Sequence, residues 1–278
     1  MKKIVLTAEI GINHNGDIGI AKRLIDVATA ALFDYVKFQK RTIDLVYSQE
    51  ELSKPRESPW GTTTRQQKFG LEFSIADYCE LSRFCGDRGI GWFVSPWDVQ
   101  AVESIDKHFN VDYMKVASAC ITDLTLLEAI RDTDIPVIIS TGMSTKSEVD
   151  VCLGVLGENV EYILACVSSY PSWDNEQNLK FLQTLQNHYG GKYRIGFSNH
   201  SPGIMYAYAA AVLGAEMIEV HITMNRAMYG SDQAASIEPE GVMKLAKHVH
   251  NLQVAFGDGT WSINDREKAI REKLRRKS

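Results

Sequence analysis

Eight short apolar runs, each followed by a stretch of helical periodicity, constrain this chain more than any other feature. The runs are 4–10 (IVLTAEI), 34–39 (DYVKFQ), 90–95 (IGWFVS), 112–117 (DYMKVA), 136–140 (PVIIS), 160–166 (VEYILAC), 193–198 (YRIGFS) and 216–222 (EMIEVHI). Between them lie amphipathic segments such as GIAKRLIDVATAAL and NLKFLQTLQNHYG. Near-continuous apolar strands alternating with helices read as a parallel sheet covered on both faces. Eight such units in 278 residues predict a single-domain α/β fold, the (β/α)8 TIM barrel. An open doubly wound sheet is the alternative, and the lack of a glycine fingerprint weighs against it.

Two segments depart from this rhythm. Residues 40–72, after the second strand, carry Pro55, Pro59 and Gly61 and form the longest irregular piece. Loops of that length are uncommon unless functional, so the segment is expected to cover the active site. The end, INDREKAIREKLRRKS, predicts a short solvated basic helix within 262–278.

Composition narrows the function. With a net charge of −5 there is no global basic field for nucleic acid or an anionic membrane. Acidic substrates would therefore have to be held by local lysines. The five cysteines (Cys79, Cys85, Cys120, Cys152 and Cys166) show no CxxC pairs and no disulfide spacing, as expected of reduced thiols. The start is not a signal peptide and no apolar run reaches spanning length, so the cytoplasm is the expected location.

In a barrel the chemistry sits at the carboxyl ends of the strands. The last two strands end in His200 and His221, within one βαβ unit spanning Tyr193 to Thr223. One histidine on an apolar strand is usually a satisfied core residue. Two at corresponding strand ends can share a divalent metal and leave positions open for water and substrate. Strand one carries Glu9, costly to bury unless paired or used. Alternation puts Lys37 and Gln39 on one face of strand two, and Lys115 interrupts the otherwise apolar strand four. Both lysines are expected to point inward, where with Ser95 and Ser118 they suit a phosphate or carboxylate. Ser140 to Lys146 reads mainly as a helix-capping cluster, and Cys166 as core. Beyond the last strand, Asp232 offers a further carboxylate.

AEIGINHNG, VKFQ, MKVAS, ISTGMS, SSYP, FSNH, EVHIT and GSDQAASIEP, in that order from Glu9 to Pro239, resemble the sialic acid synthase family. The resemblance implies a (β/α)8 barrel that condenses phosphoenolpyruvate with a hexosamine-type sugar, such as N-acetylmannosamine, to a 2-keto-3-deoxy nonulosonic acid. It implies that His200 and His221 hold a divalent metal, Mn2+ ahead of Mg2+ or Co2+, that polarises the sugar aldehyde. It further implies that Lys37, Lys115, Ser118 and Ser198 grip phosphoenolpyruvate, with Ser95 standing where threonine is frequent. Glu9 would position the water that attacks C2, and Gln39, Tyr170 and Asp232 would face the sugar. Barrels of this family commonly pair, so a homo-oligomer, a dimer or larger, is expected.

The chain also departs from the family. Ser118-Ala119-Cys120 lacks the acidic residue that usually follows the strand-four serine and contacts the sugar. Ser168 stands where asparagine is frequent, and Asn199 where aspartate is. Many members carry a C-terminal antifreeze-like domain that contacts the acylamino group, whereas this sequence stops at Ser278. Its sugar is expected to lack that group, to be recognised differently, or to require a separate protein. Three rival functions follow. One is condensation with a sugar phosphate, using Arg56, Arg65 and Lys68 for the distal phosphate. The second is a Schiff-base aldolase built on Lys115. The third is a degenerate, non-catalytic binding protein.

Overall fold

The computed structural model describes residues 2–276. Its eight barrel strands are β1 (Val5–Gly11), β2 (Tyr35–Lys40), β3 (Gly91–Pro96), β4 (Met114–Val116), β5 (Val137–Ser140), β6 (Val160–Cys166), β7 (Arg194–Asn199) and β8 (Met217–His221). All are parallel; each pairs with its neighbours in sequence, and β1 closes the ring against β8. The helices that follow them are α1 (Ile18–Ala30), α2 (Ile75–Arg88), α3 (Val99–His108), α4 (Leu124–Arg131), α5 (Lys146–Leu156), α6 (Lys180–Tyr189), α7 (Met205–Val212) and α8 (Pro239–Ala255). All eight expected strands are present. The fourth is shorter than expected because its pairing with β3 is confined to Val94 and Met114.

Local chemistry sets where the helices begin and end. Asp17 caps α1 by accepting the Ile20 N–H. Ser74 and Thr145 open α2 and α5 with capping boxes completed by Asp77 and Glu148. Gly89, left-handed at φ 67°, stops α2. The apolar stripe of α1 (Ala21, Leu24, Ile25, Ala28) is fully buried against the sheet. Each fully buried aliphatic side chain there stabilises the barrel by roughly 1.5–3 kcal/mol.

Strand alternation sorts residues between core and mouth. Val36, Phe38, Ile218 and Val220 belong to the buried apolar core, whereas Lys37, Gln39, Glu219 and His221 turn into the barrel. Register then sets their neighbours. Glu9 is level with His221 of β8 on one side and with Lys37 of β2 on the other.

The segment between β2 and α2 is folded, not irregular. It contains helices Ile43–Val46, Gln49–Ser53 and Thr64–Leu71 and an antiparallel hairpin of Pro55–Ser58 with Gly61–Thr63. It packs beside the mouth: the Tyr229 hydroxyl donates to the Glu57 carbonyl at 3.3 Å, and the Trp60 and Tyr229 rings meet edge to face. No residue between 42 and 72 lines the central cavity, so the expected cover is a buttress instead. A last short helix, α9 (Asp265–Leu274), lies within the span expected for one, and none of its residues is buried. Residues 277 and 278 of that expectation lie outside the described residues.

Candidate active site

The carboxyl ends of the strands surround a cavity of about 140 Å3 that opens to solvent. Glu9, Lys37, Gln39, Ser95, Lys115, Ser118, Ser168, Tyr170, Ser198, His200 and His221 all line it, as the sequence led us to expect. Asp232 does not line it, but stands behind His221 with its Oδ2 3.9 Å from Nδ1. Ser140, Trp97, Met143 and Glu219 complete the wall. Cys166 needs correcting: although buried, it lines the cavity, with Sγ 3.7 Å from His200 Nδ1.

At the floor, two buried ammoniums alternate with two buried carboxylates. Lys37 Nζ lies 3.0 Å from Glu9 Oε2 and 3.6 Å from Glu219 Oε2, and donates to Ser95 Oγ at 3.2 Å. Lys115 Nζ lies 3.7 Å from Glu219 Oε1 and donates to Ser140 Oγ at 2.6 Å. Ser198 donates to Glu219 Oε1 at 2.9 Å. The lysines are not equivalent. Burial lowers both, but Glu219 and Glu9 outweigh it at Lys37, which is held above the usual ammonium range. At Lys115 burial prevails over Glu219, and the group is held below that range. Burial pushes Glu219 up, and Lys115, Lys37 and His221 together bring it below the usual carboxylate range.

Above this layer sit the imidazoles, their ring centroids 5.2 Å apart. His200 Nδ1 is 2.5 Å from the Val167 carbonyl, which can only accept, so Nδ1 carries the proton and Nε2 offers a lone pair. The Tyr170 hydroxyl donates to that Nε2 at 2.8 Å, and its ring stacks on His200 at 4.1 Å. Burial lowers His200, but the Cys166 thiol and the Val167 carbonyl outweigh it and hold the ring above its usual range. Burial also raises Cys166, yet His200 and Lys115 bring the thiol down to about 7. His221 is held below the usual imidazole range by burial, partly opposed by Glu9 and Asp232, and its buried Nδ1 has no hydrogen-bond partner.

These two rings suit a divalent ion. Neither the His200 Nε2, which accepts the Tyr170 hydroxyl, nor the His221 Nδ1, unpartnered beside Asp232, is tied to a backbone group, and the Val167 carbonyl orients His200 as an outer partner orients a ligand. Among the described residues no group of three or more His, Cys, Asp or Glu side chains is placed to hold a metal ion, so protein ligation here would rest on the two imidazoles. Two imidazoles with the remaining positions open match an ion that also holds water and substrate. The third histidine near the mouth, His14, is not available. It stacks on Phe73 at 3.9 Å, accepts the Gly16 N–H through Nδ1, and burial lowers it to about 3.

Buried ammoniums, carboxylates, hydroxyls and imidazoles gathered in one cavity at the carboxyl ends of barrel strands define an enzyme-like site for small polar molecules. Comparison with known proteins agrees. A model of the NeuB family matches residues 24–261. The N-acetylneuraminate-9-phosphate synthase of Homo sapiens is 35% identical to the chain over 274 residues, 97% of this chain and 76% of that protein. The N,N'-diacetyllegionaminic acid synthase of Campylobacter jejuni is 33% identical over 93% of this chain and 79% of its own length. Among solved structures, the N-acetylneuraminic acid (sialic acid) synthetase of Leptospira borgpetersenii superposes with a TM-score of 0.84 at 30% identity, covering 99% of this chain and 94% of that one. The chain belongs to the NeuB family. It is an enzyme, a transferase of the carbon–carbon-bond-forming synthase type.

Glu219 is the principal site residue that the sequence reading passed over. Its signal was present: it precedes His221 by two residues in an apolar strand, the same alternation that singled out Lys37 and Gln39.

Proposed function

We propose that the enzyme condenses phosphoenolpyruvate with the open-chain form of an aldose, giving a 2-keto-3-deoxy nonulosonic acid and phosphate. The observation that carries this reading is the buried Lys37–Glu219–Lys115 row with its serines, directly beneath two imidazoles in one cavity. The ammoniums and the hydroxyls of Ser95, Ser118, Ser140 and Ser198 bind the phosphate and carboxylate, which fixes the plane of the enol ester. When C3 forms its bond to the sugar carbonyl carbon, the carbonyl π pair moves onto oxygen, which takes up a proton to become the product hydroxyl, and C2 becomes electron-deficient. Glu9 takes a proton from a water that attacks C2. The resulting tetrahedral phosphate ester collapses with cleavage of the C2–O bond, so phosphate leaves carrying its bridging oxygen. His200 and His221 would hold a divalent ion, Mn2+ by preference, and such an ion supplies Lewis acidity at the acceptor carbonyl. Tyr170, stacked on His200, and Gln39 face the acceptor.

None of Arg56, Arg65 and Lys68, the basic residues suited to a sugar phosphate, lines the cavity. Arg65 is paired with Asp44 at 2.6 and 3.0 Å, and Lys68 stands over the Tyr47 ring. An unphosphorylated acceptor is therefore favoured. The aldolase reading draws on the lowered Lys115, and borohydride trapping with a keto acid would separate it from the condensation. Five free cysteines fit a cytoplasmic enzyme, and no described helix is long and apolar enough to cross a membrane. Pairing of two barrels is the expected assembly.

The test is phosphate release from phosphoenolpyruvate with Mn2+ across a panel of acceptors. The panel holds mannose, N-acetylmannosamine, diacetamido-trideoxyhexoses and the 6-phosphates of the first two. Release that depends on one sugar supports the reading. Release that occurs only with a 6-phosphate replaces it with the sugar-phosphate reaction.

A further inference from the structure

Arg41, one residue beyond β2, is a nine-tenths buried cation that the reaction above leaves without a task. The neighbouring Glu72 carboxylate is taken by Lys40 at 2.7 Å, and Arg41 offers it only a backbone N–H at 3.0 Å. The guanidinium instead stands over the Trp97 ring, its Cζ 4.2 Å from the centroid, and donates through Nη2 to Gln39 Oε1. Its Nε has no partner.

This contact determines more than it touches. A guanidinium has donors and no acceptor, so the Gln39 atom facing it must be the oxygen. The amide nitrogen is thereby turned the other way, where it donates to Glu9 Oε1 at 2.7 Å. The second Glu9 oxygen, Oε2, is 3.0 Å from Lys37 Nζ but lacks a hydrogen bond with good geometry. Glu9 is thus held from both ends, Oε1 by the Gln39 amide and Oε2 by the Lys37 charge. The backbone beneath leaves no slack. Gly11 has φ +52°, and a Cβ there would stand 2.8 Å from Glu9 Oε1 and 3.1 Å from Gln39 Nε2.

We propose that Arg41 is a positioning residue for the water-attack step, acting through Gln39 to hold the Glu9 carboxylate in its orientation. Without it the Gln39 oxygen loses its anchor, the amide can swing away from Glu9, and the carboxylate turns fully onto Lys37. The inference rests on the proposed condensation, so its test has one readout that needs turnover and one that does not.

In the full-length enzyme, kcat and both KM values are measured for wild type, Arg41→Met and Arg41→Lys, with phosphoenolpyruvate affinity measured by calorimetry. Arg41→Met is expected to lower kcat by about 10–100-fold, the usual cost of removing an outer-layer partner, with phosphoenolpyruvate affinity unchanged. Arg41→Lys restores most of the loss, because an ammonium also donates to Gln39. In parallel, the Gln39 side-chain amide protons are followed by NMR. They exchange slowly in wild type and Arg41→Lys, and rapidly in Arg41→Met. Unchanged kcat or slow amide exchange in Arg41→Met overturns the proposal. So does a lysine variant no better than methionine with a raised sugar KM, which would make Trp97 stacking the role of Arg41. A wild type silent with every sugar, with exchange that still depends on Arg41, would remove the condensation and keep the relay.

Discussion

Glu219 is the hub of the floor, and its charge can be removed with little change of shape. Glu219→Gln keeps an oxygen for the Ser198 hydroxyl and fills the same volume. It deletes the carboxylate that stands 3.6 Å from Lys37 and 3.7 Å from Lys115. At an effective dielectric of 20, each of those pairs attracts by roughly 4.5 kcal/mol before desolvation is counted. Breaking a buried pair by removing one partner costs a net of about 3–5 kcal/mol. Lys115, already held below the ammonium range, can shed its proton and so limit the loss. The expected destabilisation is therefore about 3 kcal/mol, or roughly 6–12 °C in Tm for a chain of this size. Affinity should move the other way. Two carboxylates and two ammoniums now cancel; once an arriving anion draws Lys115 back to its charged form, the variant has one positive charge that no protein carboxylate cancels beneath the anion site. Phosphoenolpyruvate is expected to bind about tenfold tighter, a gain of about 1.4 kcal/mol. At a hundred times Kd it would return about 2.7 kcal/mol of stability. Thermal denaturation with and without phosphoenolpyruvate, together with calorimetry, measures both terms. A variant as stable as wild type whose phosphoenolpyruvate affinity is unchanged or weaker would refute the four-charge unit.

Gly11→Ala should drive Glu9 and Gln39 apart, lowering kcat by about tenfold or more with phosphoenolpyruvate KM retained; steady-state kinetics with intact kcat would show that the contact can yield. His221→Ala should lose Mn2+ in equilibrium dialysis and lose turnover together, and turnover in a metal-free variant would remove the ligand assignment. His14 is lowered from 6.5 to about 3, so the stability that rests on its neutral ring is complete above pH 6.5 and is lost as pH falls towards 3. The slope is about 1.4 kcal/mol per pH unit over that window. His14→Asn keeps an acceptor for the Gly16 N–H and should flatten this slope in chemical denaturation between pH 6.5 and 4; parallel slopes in the two proteins would contradict it.

The barrel was legible because strands covered on both faces must be apolar almost throughout, so an ionisable residue within one has only the barrel interior to face. That reasoning found Lys37 and Lys115 and applied equally to Glu219, where the neighbouring histidine drew the attention instead. Cys166 was read as core because burial and cavity lining coincide in a narrow mouth; no pattern within a strand separates them. Ser140 was read as part of a capping cluster, and in the structure Thr145 does the capping while Ser140 faces Lys115. The segment after β2 carried readable signs of order, since Thr63 with Gln66 forms a capping box that the sequence spells out. Its place beside the mouth was not readable, because it depends on distant contacts between Trp60 and Tyr229 and between Lys40 and Glu72. Arg41 was invisible for the same reason: stacking on Trp97 follows from the register of β2 against β3, not from any local pattern.

The inequality of the two lysines follows from that register. Lys37 lies between two carboxylates, Glu9 on β1 and Glu219 on β8, whereas Lys115 reaches Glu219 alone across the barrel. One lysine is therefore a fixed cation whatever occupies the cavity. The other is stabilised as a cation only in part, and an arriving anion completes what the protein leaves short. Such a floor can hold four ionisable groups out of water without a bound ligand, because its charges cancel, and can still favour an anion, because one ammonium is undersupplied. A second carboxylate beside Lys115 would make the empty barrel more comfortable and the substrate less welcome. The single shared glutamate is thus the compromise between a stable core and an anion site in the same few side chains.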